Sequence, residues 1–183
     1  MSSHLSLPIR LPFEEQESHD RLDTLTTHVA NTLIERYWTP EHLTGIDEYS
    51  HQAWKYFDED EAFVDVDLYL PSRYKRCVMQ KVGETLRSHA DKREAFQTIQ
   101  SVLPTHKIRR IHTRRIKEQL WDSGEYIKAG YVDLLIDQLN SCYDRHGQFP
   151  ESYFEMQDCP SYSKGDLPYS ADDGPTLGQA VKY

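Results

Sequence analysis

Apolar residues recur along the 183-residue chain with two different periods. Near the N-terminus, Leu5, Leu7, Ile9, Leu11 and Phe13 alternate with Ser6, Pro8, Arg10 and Pro12. That is the period of a strand with one buried face. Pro8 and Pro12 have no N–H to donate, which restricts this strand to a sheet edge. After the polar turn Glu14 to Ser18 the period changes. Leu22, Leu25, Val29, Leu33 and Tyr37 fall at helical spacing, flanked by Ala30 and Ile34, and predict an amphipathic helix from about His19 to Trp38. Thr39-Pro40-Glu41 reads as an N-cap followed by proline at the first helical position. A short helix or irregular segment follows, anchored by Tyr49, Trp54, Tyr56 and Phe57. Phe63 to Leu70 has the features of a short strand or extended connector.

Ser72 then caps a predicted helix to about His89, with Tyr74, Val78, Val82, Thr85 and Leu86 on one side. Arg73, Arg76, Gln80, Gly83 and Arg87 form a stripe on the opposite side. A second helical run, Asp91 to Leu103, carries Phe96, Ile99, Val102 and Leu103, and Pro104 ends it. Thr105 caps an arginine-rich helix with Lys107, Arg110, Arg114, Lys117 and Trp121 on one stripe. Its apolar face, Ile108, Ile116 and Leu120, is thin, so it needs neighbours or a partner to hold it. Gly124 to Tyr143 predicts a core helix through Ile127, Tyr131, Val132, Leu134, Leu135, Ile136 and Leu139, with Asp133, Asp137 and Asn140 on its narrow polar side. Asp144 to Gly147 and Pro150 supply a helix stop. Tyr153 to Met156 reads as a strand, Cys159 to Pro175 as turns, and Gln179 to Tyr183 as a further strand.

Charge changes the picture. From Pro71 to Lys117 there are 13 Lys/Arg and 3 Asp/Glu, a local charge of +10, whereas the rest of the chain has 8 Lys/Arg and 27 Asp/Glu, a charge of −19. Two helical stripes of cations suit a phosphate backbone, where counterion release supplies most of the affinity. Candidate contacts are Arg73, Arg76, Arg87, Lys107, Arg109, Arg110, Arg114, Arg115 and Lys117. Trp121 or Tyr74 could stack on bases of structured or single-stranded RNA. The competing reading makes the same cations solvated, or internal partners for the outlying carboxylates.

Little else carries chemistry. Asp65, Asp67 and Asp58 to Glu61 read as solvated acidic loops in preference to a cation site. His106 and His112 lie among arginines, where phosphate contact or plain exposure is favoured over metal ligation. There is no H-E-x-x-H, G-x-S-x-G or phosphate-binding glycine loop. Cys77, Cys142 and Cys159 are odd in number, widely spaced and lack a C-x-x-C, so reduced structural thiols are expected and no cofactor or metal is implied. No run of about 18 apolar residues occurs, which argues against a membrane span. The N-terminus does not have the form of a signal peptide, and a cytoplasmic location is expected.

The order of the pieces resembles a known family. Ile9-Arg10-Leu11-Pro12-Phe13-Glu14-Glu15-Gln16, a helix through Asn31 to Tyr37, Leu70-Pro71-Ser72-Arg73-Tyr74 opening a basic helix, and Gly147-Gln148-Phe149-Pro150 after the Tyr126 to Tyr143 helix are similar to the opening of divergent, archaeal-type TnpB proteins. These transposon-encoded proteins are RNA-guided DNA endonucleases related to type V CRISPR effectors. The resemblance implies an α+β chain, mainly α. A helical recognition-like bundle, residues 19–147, would be inserted between short strands of an incomplete wedge-type β-barrel, residues 1–18 and 148–183. It also implies that the basic helices face guide RNA or RNA–DNA heteroduplex, read by shape. The family's three separated nuclease carboxylates and Cys-rich zinc element have no counterparts here, and Asp65 and Asp67 do not stand in for them. The expectation is a truncated, non-catalytic TnpB-like protein that at most binds nucleic acid. A stand-alone helical RNA- or DNA-binding regulator remains open, as does an acidic interaction module with an internally paired basic segment.

Overall fold

A computed structural model describes residues 13–49, 51–57, 72–103, 111–123 and 129–167. The expected strands at 5–12, 63–70 and 179–183 lie outside these residues. Helix α1 spans Phe13–Tyr37 and α2 spans Pro40–Gly45. Two 3-10 turns follow, Ile46–Glu48 and Ala53–Phe57. Then come α3, Ser72–Val102, α4, Thr113–Ser123, α5, Ala129–His146, and the single turn α6, Tyr153–Met156. No strand occurs among the described residues. The fold is mainly helical.

The helices form where the apolar spacing predicts them, and the differences have local causes. Phe13 opens α1 and does not close a strand. The two helical runs expected on either side of Ala90 are one helix of 31 residues. Neither glycine nor proline stands between them, so nothing costs the helix its propagation. Thr39 caps α2 as expected, its hydroxyl accepting from the His42 N–H at 3.3 Å. The basic helix begins at Thr113; the cap expected at Thr105 lies outside the described residues. Helix α5 stops where Gly147 takes φ +73°, a left-handed conformation that glycine adopts without a Cβ penalty. The Gly147 N–H closes the last turn on the Tyr143 carbonyl at 2.8 Å.

The strand expected at Tyr153 to Met156 is a helical turn. Ser152 accepts from the Glu155 N–H at 3.3 Å, and the Glu155 carboxylate accepts from the Glu151 N–H at 2.8 Å. This is a variant of the Ser-x-x-Glu capping box, and it outweighs the strand preference of two adjacent aromatics.

Two hydrophobic clusters fill the interior, and α3 runs through both. The first joins α1 (Leu22, Val29, Leu33, Ile34), α2, Ile46, Phe57 and the first half of α3 (Tyr74, Val78, Val82, Leu86), and is closed by Leu167. The second joins the far half of α3 (Ala95, Phe96, Ile99) to Ile111, Ile116 and Leu120, to α5 (Val132, Leu135, Ile136, Leu139) and to Tyr153. Trp38 packs against both. Burying side chains such as Phe96 or Leu139 contributes about 1.5–3 kcal/mol each.

Two asparagine amides pin chain segments that have no partner strand. Asn140, expected on the polar side of α5, is buried at 8% exposure. It accepts from the Ile111 N–H at 2.8 Å and donates to the Ile111 carbonyl at 3.0 Å. Asn31 on α1 holds Tyr162 in the same way, at 2.7 and 3.0 Å. The Tyr162 hydroxyl then meets Thr85 Oγ1 at 2.6 Å and donates to the Lys81 carbonyl at 3.1 Å. Each amide supplies one donor and one acceptor, as a neighbouring strand would.

Candidate nucleic-acid interface

The nine cationic candidates divide into three groups. Lys107, Arg109 and Arg110 lie outside the described residues. Arg73, Arg76 and Arg87 are on α3, and Arg114, Arg115 and Lys117 are on α4.

The α3 stripe is solvated only in part: Arg73 and Arg76 are exposed, but its middle is covered. Gly83, assigned to it by helical phase, is buried against the Ala53–Phe57 turn, where an added Cβ would stand 2.5 Å from Ala53 Cβ. Gln80 accepts from the Trp54 N–H at 3.3 Å and donates to Glu84 at 2.9 Å. The Arg76 guanidinium lies 4.4 Å from the centre of the Trp54 ring, a cation–π contact. Arg73 is exposed and Arg87 half-buried. Helical phase placed these residues correctly on one stripe; it could not reveal that the 53–57 turn packs over the middle of it. Arg76 also stands about 30 Å along the α3 axis from Phe96, where α3 enters the cluster that holds α4.

Helix α4 presents its cations outward because Ile116 and Leu120 are buried in the second cluster. With Ile111 held by Asn140, the chain enters α4 from a fixed point. Arg114, Arg115, Lys117 and Trp121 then face away from the core, and all four are exposed. Arg114 Nε donates to Glu118 Oε1 at 2.9 Å, and Lys117 Nζ meets Asp133 Oδ1 of α5 at 2.7 Å. Arg114, Lys117, Glu118, Trp121 and Asp122 line one shallow hollow.

The aromatic candidates separate cleanly. Tyr74 is 5% exposed and belongs to the core, so it has no face to offer a base. Trp121 is 87% exposed, and Leu134 on neighbouring α5 is 42% exposed where the pattern had placed it in the core. The carboxylates around Trp121 were not singled out from sequence. The Arg114–Glu118 pair was legible as an i,i+4 spacing; Asp133 needed the α4–α5 packing.

Other chemistry stays structural. His89 is buried on α3 and its Nδ1 lies 2.8 Å from the Tyr153 hydroxyl, with Trp38 edge-on at 4.9 Å. Burial, with the nearby Lys92 charge, pushes the imidazole down to about 4, and burial pushes the Tyr153 hydroxyl up. Cys142 is buried and Cys77 and Cys159 are half-buried; all three are free thiols. No group of three or more potential metal ligands occurs among the described residues. Asp65 and Asp67 lie outside them. No described helix is long and apolar enough to cross a membrane.

No protein-family profile, curated protein or solved structure matches the chain.

Proposed function

We propose that the chain is a non-catalytic module that binds the backbone of a nucleic acid through α4 and the basic segment leading into it. The observation that carries this is the outward face of α4, where Arg114, Arg115 and Lys117 are exposed together with Trp121. Lys107 to Lys117 contains six Lys/Arg and no Asp/Glu. A local field of that sign attracts polyanions within a Debye length, even on a chain of net charge −9. In its specific form the proposal makes the chain a relative of the recognition part of TnpB proteins, contacting guide RNA or heteroduplex by shape. The order of its short motifs and the basic helix opening at Ser72 support that form; the helical turn at Tyr153–Met156 does not. Three free thiols suit a cytoplasmic setting.

A filter-binding titration of RNA against salt tests the proposal. Replacing Arg110, Arg114 and Lys117 with alanine lowers the affinity and flattens the salt dependence by about one phosphate contact per cation lost. Affinity unchanged by the triple substitution overturns the assignment of this face.

A second reading makes the chain a protein-interaction module whose basic segment is neutralised internally. The Arg114–Glu118 and Lys117–Asp133 pairs favour it. Both pairs are exposed, however, and such pairs contribute about 0–1 kcal/mol, so a phosphate can displace either carboxylate at little cost.

A further inference from the structure

The hollow on α4 contains more than cations. The Trp121 indole stands in it with both Arg114 and Lys117 and two carboxylates, Glu118 and Asp122. For backbone binding alone the carboxylates are a handicap, since each repels phosphate. An indole 87% exposed gains nothing from burial in the free chain and leaves its ring face open to a ligand. The combination has a use when the ligand is a nucleotide whose base is unpaired. The indole offers a stacking face, the cations lie within two helical turns for the flanking phosphates, and a carboxylate beside the ring can accept from the edge of the base. A stacked base in a duplex has no face to give, so the ligand is single-stranded at this point. The two oxygens of one ionised carboxylate accept only. Among the four bases, guanine alone has two adjacent donors on its Watson–Crick edge, N1–H and the 2-amino group. Cytosine and adenine each offer one amino group there, and uracil one N–H.

We propose that the α4 hollow binds an unpaired guanine, stacked on Trp121, accepted at its Watson–Crick edge by Glu118 or Asp122, with its flanking phosphates on Arg114 and Lys117. This rests on the nucleic-acid reading of α4 and deepens it. Arg114 and Glu118 already touch at 2.9 Å, so a phosphate that draws Arg114 away leaves the Glu118 oxygens open to the base.

The test uses the full chain and short RNA oligonucleotides that differ at one unpaired position. Binding is followed by filter retention and by tryptophan fluorescence. Trp38 is packed between the clusters and Trp54 lies under Arg76, so Trp121 is the indole that a stacked base quenches. The expected result is quenching by the oligonucleotide with unpaired guanine, several-fold tighter than with adenine, cytosine or uracil, and none with a blunt duplex. Trp121→Ala lowers affinity for the guanine strand about tenfold, and Trp121→Phe retains most of it. Glu118→Gln and Asp122→Asn, tested singly, identify the acceptor: one of them removes the guanine preference and leaves overall retention intact. Retention that is equal for all four bases, or unaffected by Trp121→Ala, overturns the guanine site and leaves the backbone reading standing. No retention of any RNA overturns both. All four substitutions are at exposed positions, and unchanged circular dichroism separates loss of binding from loss of fold.

Discussion

Gly83 is where α3 and the Ala53–Phe57 turn come closest, and filling that gap tests how the first cluster is built. In Gly83→Ala the new methyl carbon would lie 2.5 Å from Ala53 Cβ and 3.2 Å from both the carbonyl carbon and oxygen of Ala53. Carbon atoms in good contact stand about 3.5–4.0 Å apart, so the turn must retreat by about 1 Å. Ala53 is fully buried and its neighbour Trp54 is tied to Gln80, so the retreat disturbs packing around Phe57 as well. Overpacking of this kind costs about 1–3 kcal/mol. Alanine returns about 1 kcal/mol by its better helix propensity. The net expectation is a loss of about 0–2 kcal/mol, or up to roughly 8 °C in Tm for a chain of this size. Urea unfolding followed by circular dichroism measures it. Ala53→Gly removes the 2.5 Å contact, so it costs less in the Gly83→Ala background than in the parent, by a coupling of about 1 kcal/mol. A Gly83→Ala protein more stable than the parent, or a strictly additive cycle, refutes the close approach.

Two further predictions concern buried polar groups. His89 is held neutral in the folded protein, with its proton affinity pushed down to about 4 from an ordinary 6.5. The unfolded chain therefore binds more protons between those values, and stability is fully present above about pH 6.5 and falls as the pH drops towards 4. Urea midpoints measured across that window decline in the parent, and the decline is shallower in His89→Gln; identical slopes refute the assignment. Asn140→Ala leaves the N–H and carbonyl of Ile111 buried without partners, a loss of about 2 kcal/mol or more, measurable by the same unfolding assay and by faster hydrogen exchange of the Ile111 amide. Exchange unchanged at Ile111 refutes the clamp.

What the sequence shows well is burial on a single element. The apolar spacing in α1, both halves of α3, and α5 places Leu33, Val82, Phe96 and Leu139 in the core, because a helix of period 3.6 has one face to hide. The sequence is silent where a second segment decides the environment. Asn140 looks like a surface residue until Ile111 is laid beside it. Gly83 looks like a gap in a basic stripe until the 53–57 turn fills it. Ser152 and Glu155 were readable as a cap, and the adjacent Tyr153 and Phe154 masked the signal. On α4 the cations and Trp121 were legible as a stripe. Of their carboxylate neighbours, Glu118 was readable at i,i+4 from Arg114, and Asp133 became visible only once the α4–α5 packing placed it beside Lys117.

The unbroken course of α3 sets a phase relation between the two halves of the protein. One continuous rod enters both cores, so the angular position of Leu86 in the first determines that of Phe96 and Ile99 in the second. Each residue of helix turns the axis by about 100°. Adding or deleting a single residue between His89 and Ala95 would therefore swing the second core, and the outward face of α4 with it, a quarter-turn or more out of alignment. The length of that middle stretch is under a constraint that no individual side chain there reveals, and the direction in which Trp121 points depends on it.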